Sequence, residues 1–368
     1  MRVKLKDITK FSKGTQINGK NLIDDGAYSY LNGGINPSGK WNEFNVAENT
    51  VTISEGGNSS GYVNYMNKAF WCGAHCYYLY DGPKNSKYLY YALKSQQERL
   101  FRIRSGACMP NIKKSDLGNF IIEYEEDETR QEEVVKVLEK CELLIEDYNK
   151  KLALLDEAVR ARFVEMFGDP VDNPMNWKKK KLKDIVTEDC TISYGIVQTG
   201  EEQKEGIPVF RPVDIVNHTP KVEELKKTTE FISDRYKKTL LKGHELLITV
   251  RANIADTFIA DKEFMGCNVG RGIVPIRTQE DIMRLEFLKC LIDNRHLNDI
   301  LKSKAKGITL IQLNMEDLRN VELIIPPIDL QIDYLKYSSL IDKSRSRIQK
   351  SLEASQELFE SLMQEYFG

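Results

Sequence analysis

The sequence predicts a mixed α/β (α+β) fold in which two similar globular domains are separated by two long helices that form an antiparallel coiled coil. The first observation behind this is that the chain is written twice. Lys4-Leu-Lys-Asp-Ile8 returns as Lys181-Leu-Lys-Asp-Ile185, and Gly106, Asp116, Leu117 and Asn119 return as Gly307, Asp317, Leu318 and Asn320. Gln131 matches Gln331, and Glu165-Met-Phe-Gly168 matches Glu365-Tyr-Phe-Gly368. A repeat near 180–200 residues is too long for a solenoid and means two similar modules on one chain. The second observation is a sustained heptad pattern in each copy. The third is that short strand-like runs, punctuated by turn residues, fill the remainder.

Residues 1–125 form the first domain. Val51-Thr-Ile-Ser54 and Cys76-Tyr-Tyr-Leu-Tyr80 are strand-like. Asn32-Gly-Gly34, Asn36-Pro-Ser-Gly39 and Gly56-Gly-Asn-Ser-Ser-Gly61 carry turn chemistry. Leu89, Leu93 and Leu100 give helical spacing from Lys87 to Arg104. Residues 126–169 hold the first long helix. Val134, Leu138, Cys141, Ile145, Tyr148, Leu152, Leu155, Val159, Arg162 and Met166 alternate steps of four and three, with no Gly or Pro inside. At about 1.5 Å per residue this helix is roughly 55–60 Å long. Gly168-Asp-Pro170 ends it.

Residues 170–327 form the second domain, with strand-like Val209-Phe-Arg211 and Leu246-Leu-Ile-Thr-Val250. Pro326-Pro327 opens the second long helix, 328–368, whose seam is Ile341, Ile348, Leu352, Phe359, Leu362 and Tyr366. Tyr334, Ser338, Arg345 and Ser355 interrupt it. One heptad helix cannot bury its own stripe; two on one chain bury each other's.

Composition sets bounds. Of 368 residues, 41% are hydrophobic and 29% charged, as in a soluble protein. The N-terminus has no apolar core, so no signal peptide is expected, and no run of 18 apolar residues predicts a membrane span. Seven cysteines without paired spacing suit a reducing, cytoplasmic compartment. Cys72-Gly-Ala-His-Cys76 lacks a second ligand pair, so buried thiols in a strand are expected rather than a metal site. The net charge of −2 hides a first domain at +7 over residues 1–122 beside a helix at −8 over 123–169. A basic globule beside an acidic helix points one surface at a polyanion. Residues 170–325 carry only +1, which makes the same inference weaker for the second domain.

The order globule, helix, globule, helix resembles the specificity subunit of a type I restriction-modification enzyme. The resemblance covers the whole chain. It is carried by the two Lys-Leu-Lys-Asp-Ile openings, Gly206-Ile-Pro-Val-Phe-Arg-Pro-Val-Asp-Ile215, Gly307-Ile-Thr-Leu-Ile-Gln-Leu313 leading to Leu323-Ile-Ile-Pro-Pro327, and Phe163-Val-Glu-Met-Phe-Gly-Asp-Pro170. Asp329-Leu-Gln331 replaces the Glu-Gln usual after the Pro-Pro pair, and the first copy has Tyr124-Glu-Glu-Asp-Glu128 in place of that pair. The resemblance implies two target-recognition domains, each reading half of a gapped target on double-stranded DNA, and a coiled coil acting as ruler. It implies two methyltransferase subunits as partners, bringing S-adenosylmethionine, and restriction/translocase subunits bringing ATP and Mg. It implies no catalysis, cofactor or metal in this chain.

Candidate DNA-binding residues follow from residue type and place. Arg102, Arg104, Lys113 and Lys114, and in the second copy Lys302, Lys304 and Lys306, are candidates for phosphate contacts, with a solvated face as the alternative. Asn36 and Lys40 in one loop, and Asn58 and Ser59 in another, offer groups suited to base edges, or turn chemistry only. In the second domain the candidates are Gln198, Thr199, Arg211, Arg251, Asn253 and Arg271, the last lying between Gly270 and Gly272.

Two other function classes stay in view. A stand-alone DNA methyltransferase needs an Asp/Asn-Pro-Pro-aromatic tetrad, and Ile325-Pro-Pro-Ile328 is not one. Pro212-Val-Asp214 with Glu224-Leu-Lys226 only faintly matches a nuclease core, and no phosphate-binding Gly-x-x-x-x-Gly-Lys-Ser/Thr loop is present. Four histidines without a clustered Cys or Ser give nucleophilic catalysis no constellation. The remaining alternative is a coiled-coil scaffold without DNA recognition.

Overall fold

A computed structural model describes residues 1–106, 108–216, 220–307 and 311–368. The chain divides into two compact units, one of residues 1–152 with 347–368, the other of residues 153–346. Each unit contains one globule and one end of each long helix.

In the first unit the strands are β1 (Arg2–Lys4), β2 (Lys10–Lys13), β3 (Tyr28–Leu31), β4 (Gly39–Trp41), β5 (Thr50–Ser54), β6 (Val63–Met66), β7 (Phe70–Cys72), β8 (Cys76–Tyr80) and β9 (Ile121–Glu123). The short helices are α1 (Leu5–Ile8), α2 (Ser86–Lys94), α3 (Gln97–Arg102) and α4 (Lys114–Gly118), followed by long α5 (Glu128–Phe167). The strands form sheets of order β2-β8-β5-β6, β4-β3-β7 and β1-β9. β3 and β7 run parallel; the other pairs are antiparallel. Val51, Ile53, Tyr77, Leu89, Leu93 and Leu100 form the core.

The second globule repeats the plan with β10 (Lys179–Lys181), β11 (Ile207–Phe210), β12 (Lys226–Thr228), β13 (Glu245–Thr249), β14 (Thr257–Ala260), β15 (Asn268–Val269), β16 (Ile273–Ile276) and β17 (Glu322–Ile324). Its helices are α6 (Pro212–Val216), α7 (Glu230–Asp234), α8 (Leu285–Asp293), α9 (Arg295–Ser303), α10 (Met315–Arg319) and long α11 (Ile328–Phe367). The sheets are β14-β13-β16, β12-β11-β15 and β10-β17, again with one parallel pair, β11–β15. β13 is buried at every position, as a strand covered on both faces must be. Buried Glu245 fits there because its carboxylate accepts the N–H groups of Lys242, Gly243 and His244 and the Arg277 guanidinium.

α5 and α11 are each 40 residues long. α5 stops where Gly168 turns left-handed at φ +71°, its N–H donating to Val164 O at 2.9 Å. A Cβ there would meet Pro174 Cγ at 2.6 Å. Contacts inside each unit set the helices antiparallel. In the first unit Arg130 lies 5.9 Å from the Tyr366 ring, and Val134 and Leu138 share a core with Phe359 and Met363. In the second, Asp156 pairs with Arg345, Arg162 lies 5.9 Å from the Tyr337 ring, and the Phe163 ring is 5.5 Å from that of Tyr334. Residue numbers rise along one helix as they fall along the other. Val134, Leu138 and Leu352 are buried; Ile145, Leu152, Leu155, Val159, Ile341, Ile348, Phe359 and Leu362 are half-buried. Off the seam, Leu143, Leu154 and Leu340 are exposed.

The repeated glutamines anchor the long helices to their globules. Gln331 is fully buried; its Nε2 donates to Ile282 O (3.0 Å) and Pro326 O (2.9 Å), and its Oε1 accepts from Arg284 N–H (3.0 Å). Gln131 Nε2 donates likewise to Glu125 O (2.6 Å) and the Tyr124 hydroxyl (3.0 Å).

One helix expected from Lys87 to Arg104 is two. α2 ends because the Ser95 hydroxyl bonds back to Ala92 O and the Gln97 side chain is held by Gly61 O and Val63 N–H, which swings α3 away. No helix among the described residues is long and apolar enough to cross a membrane.

Candidate nucleic-acid interface

In the second unit, backbone pairing draws four segments together. Val250 N–H donates to Gly272 O (2.8 Å), Gly270 N–H to Phe210 O (2.8 Å) and Leu313 N–H to Val250 O (2.9 Å). Gln312 forms bridges with both Arg251 and Lys306. These bonds gather Arg211, Arg251, Arg271 and Lys306 at the ends of β11, β13 and β15. Gly272 is required here, since a Cβ would stand 2.5 Å from Pro212 Cγ. Arg251 is half-buried and fixed, its Nε donating to Gln312 Oε1 at 2.7 Å and its Nη2 to the same oxygen. Burial, and then the neighbouring charge of Arg271, lower its pKa from the usual arginine value. Arg211 is occupied differently: its Nε and Nη2 donate to the Asp214 carboxylate at 3.1 and 2.8 Å. Arg271 is exposed and makes no hydrogen bond or ion pair among the described residues.

The same framework in the first unit carries other side chains. Ile112 N–H donates to Glu55 O, Gly73 N–H donates to Leu31 O, and Asn111 forms bridges with Gly56 and Ser105. By these matching bonds Gly56 stands where Arg251 does, Ala74 where Arg271 does, and Asn32 where Arg211 does. Asn32 Oδ1 accepts from His75 N–H at 3.2 Å, and Lys13 and His75 lie against the Glu55 carboxylate.

The other predicted residues scatter around these two places. Asn36 is exposed in a loop, but Lys40 lies in β4 rather than in that loop, because Gly39–Trp41 pair with β3. Asn58 is exposed on a turn. Ser59 is half-buried, and its hydroxyl donates to Gly33 O (2.5 Å) and lies beside Ser54 Oγ, which ties it to the turn. Arg102 is exposed at the end of α3. Arg104 is held by Phe101 O (2.7 Å) and Asn58 O (3.3 Å). Lys113 and Lys114 are exposed at the start of α4. Gln198 is exposed, two residues beyond Ile196, which pairs with Gly270; Thr199 is half-buried, its carbonyl accepting from Thr228. Asn253 is exposed and its carbonyl accepts from the Thr249 hydroxyl. Lys302, Lys304 and Lys306 are exposed at and beyond the end of α9. Ile308-Thr-Leu310, in the middle of the Gly307–Leu313 tract, lies outside the described residues. Gln312, which fixes Arg251, was missed, although the amide recurs in the sequence as Asn111 and Gln312.

Cys72 and Cys76 are both buried, and their mutual hydrogen bond, then burial, push the Cys72 thiol up. Among the described residues Asp169, Asp172 and His296 come together at the exit of α5. There Asp169 accepts from the N–H groups of Val171 and Asp172 and from His296 Nδ1, closing the turn.

The model of one protein family, the type I restriction modification DNA specificity domain, matches residues 1–156 and again residues 174–355. The chain belongs to this family. A Mycoplasma pneumoniae protein provisionally named a type I specificity subunit is 37% identical over 197 residues, covering 52% of this chain and 51% of that protein. The EcoBI specificity subunit of Escherichia coli is 22% identical over 222 residues, covering 60% of this chain and 47% of that subunit. These matches span about half the length of the curated relatives. Among solved structures, the type I restriction-modification S subunit of M. genitalium shares the fold, with a TM-score of 0.67 at 18% identity, covering 100% of this chain and 96% of that one.

Proposed function

We propose that this chain is the DNA sequence-specificity subunit of a type I restriction-modification complex. The observation that carries the reading is that the specificity-domain family matches twice, once for each globule of a duplicated plan. Each globule reads one half of a gapped target on double-stranded DNA. The two 40-residue helices, each about 60 Å long at 1.5 Å per residue, act as the spacer. Major-groove sites on one face of DNA repeat roughly every 34–36 Å, so a spacer of this length lets two globules address separate grooves and leave the bases between untouched. Domain limits of 1–125 and 170–327 for the globules, with 126–169 and 328–368 for the spacers, belong to this reading.

The chain itself is non-catalytic. Methyl transfer to adenine takes place in methyltransferase subunits that bring S-adenosylmethionine, with the base flipped into their pocket, and cleavage in restriction subunits that bring ATP and Mg. The exposed lysines and arginines near α3, α4 and α9 take phosphates, which position the protein without reading sequence.

The test is selection from a random duplex library by the full chain at rising salt. A sequence reader enriches a two-part motif with a fixed gap and keeps doing so as salt rises, while simple polyanion binding collapses. Enrichment of no motif, or of one contiguous site, overturns the proposal.

A further inference from the structure

We infer that the second globule recognises a guanine through Arg271, beside an Arg251 held in place by Gln312, and that the first globule has no counterpart to this contact. The inference rests on the chain being a DNA reader and names the base that one half of it seeks.

Several observations converge on Arg271. It sits on the tight turn Gly270-Arg271-Gly272 between β15 and β16, exposed, with no partner for its guanidinium among the described residues. That turn is pinned from both sides, by Gly270 N–H on Phe210 O and by Val250 N–H on Gly272 O. The pinned turn fixes where the Arg271 side chain leaves the backbone, and its guanidinium, unpaired among the described residues, keeps all five donors for a ligand. The flanking glycines let the turn pack closely on the fold, since a Cβ would meet Phe210 O at 3.1 Å from Gly270 and Pro212 Cγ at 2.5 Å from Gly272. Arg251 adds a second positive charge whose orientation is set by two bonds to one Gln312 oxygen. Arg211, by contrast, has its Nε and Nη2 on the Asp214 carboxylate, which offsets its charge and leaves Nη1 and the second Nη2 hydrogen as its remaining donors.

The chemistry that such a fork matches is the O6 and N7 acceptor pair of guanine in the major groove. Adenine offers N7 but presents a donor at N6, so the second N–H of the fork meets a donor and is rejected. The matched positions in the first globule are Gly56, Ala74 and Asn32, none able to form this contact. Arg104, the arginine close to Asn58 there, is occupied by Phe101 O and Asn58 O and lies over the Phe101 ring. Two globules on one framework therefore differ at the place where one of them offers a free arginine fork. Gln312 is a positioning residue in this account, because it acts through Arg251.

The experiment compares the full chain with Arg271→Lys, Arg271→Ala and Gln312→Ala in selections from one random duplex library. The wild type should enrich a two-part motif with a guanine in one half. Arg271→Ala should lose preference at that single base pair by about ten- to a hundredfold, with the other half unchanged. Arg271→Lys keeps the charge and a donor but not the planar fork, so its overall affinity should stay within a few-fold while the guanine preference falls by less than in Arg271→Ala. Gln312→Ala should weaken selection in the same half only. If Arg271→Ala keeps the full motif, or if both Arg271 variants bind more weakly at every sequence alike, Arg271 does not read a base and the inference is overturned. Relaxation at a position that is not G·C also overturns it. If the wild type itself enriches no two-part motif, the reading of the chain as a DNA reader fails before any substitution is compared.

Discussion

Replacing Gln331 by alanine tests how the second globule is fastened to its helix. The side chain is completely buried and satisfies three backbone groups, Ile282 O, Pro326 O and Arg284 N–H, at 2.9–3.0 Å. Each buried backbone group left without a partner costs about 1–3 kcal/mol, and the truncated side chain also leaves a hole. The carbonyls retain a second lone pair and the site relaxes somewhat, so the expected loss is about 3–5 kcal/mol in the unit formed by residues 153–346. Gln331→Glu should be no better at neutral pH, because it aims a carboxylate at two carbonyl oxygens. Gln349→Ala, at an exposed position on the same helix, should stay within about 0.5 kcal/mol. Urea unfolding of the full chain gives the stability change. Amide hydrogen exchange gives its location, since the Arg284 N–H should lose protection while the β5–β8 amides of the first unit keep theirs. A loss below about 1 kcal/mol, or an Arg284 amide that stays protected, would refute the anchoring role.

Phe167→Ala removes a fully buried ring that contacts Phe163, Phe287 and Tyr334 at centroid distances of 5.2, 4.8 and 5.6 Å, and should cost about 3–5 kcal/mol by urea titration. Tyr91→Phe deletes the hydroxyl that donates to Glu142 at 2.6 Å and should cost the first unit about 1–2 kcal/mol, read from its unfolding midpoint. Lys242, and then the Thr187 hydroxyl, donate to Asp189 and hold its carboxyl well below the usual range. A depressed carboxyl contributes stability that is complete above the unfolded value of about 4 and is lost as pH falls through the folded value. Wild type should therefore exceed Asp189→Asn in thermal stability by a constant margin from pH 7 to about pH 5, and that margin should shrink below about pH 4; a margin that grows on acidification would contradict the pairing.

Periodicity and duplication made the long helices legible, because a 4-3 pattern without Gly or Pro admits few alternatives and Gly168 and Pro326-Pro327 bound it. The recurrence of Gln131 as Gln331 was visible in the sequence, yet its reason emerged only with the backbone groups of residues 124–125, 282–284 and 326 gathered around it. Long-range pairing was not legible: nothing local tells β3 to pair in parallel with β7, some 40 residues away. Lys40 looked like a loop residue because Pro37 and Gly39 surround it, while its strand character comes from pairing with Ser29. Ser59 and Arg211 have the chemistry for base reading, and the structure adds a local partner for each, Gly33 O in one case and Asp214 in the other. The i,i+3 spacing of Arg211 and Asp214 is a signal that the sequence did carry. Arg271 differs in that its guanidinium makes no hydrogen bond or ion pair among the described residues.

Mapping methylated adenines in cells that carry this chain with its methyltransferase subunits tests the central claim most directly, especially when residues 170–327 are exchanged for the second domain of another family member. The account predicts a two-part methylated motif with an unread gap, of which the exchange alters one half and leaves the other half and the gap as they were. A contiguous motif, or an exchange that rewrites both halves, would contradict it.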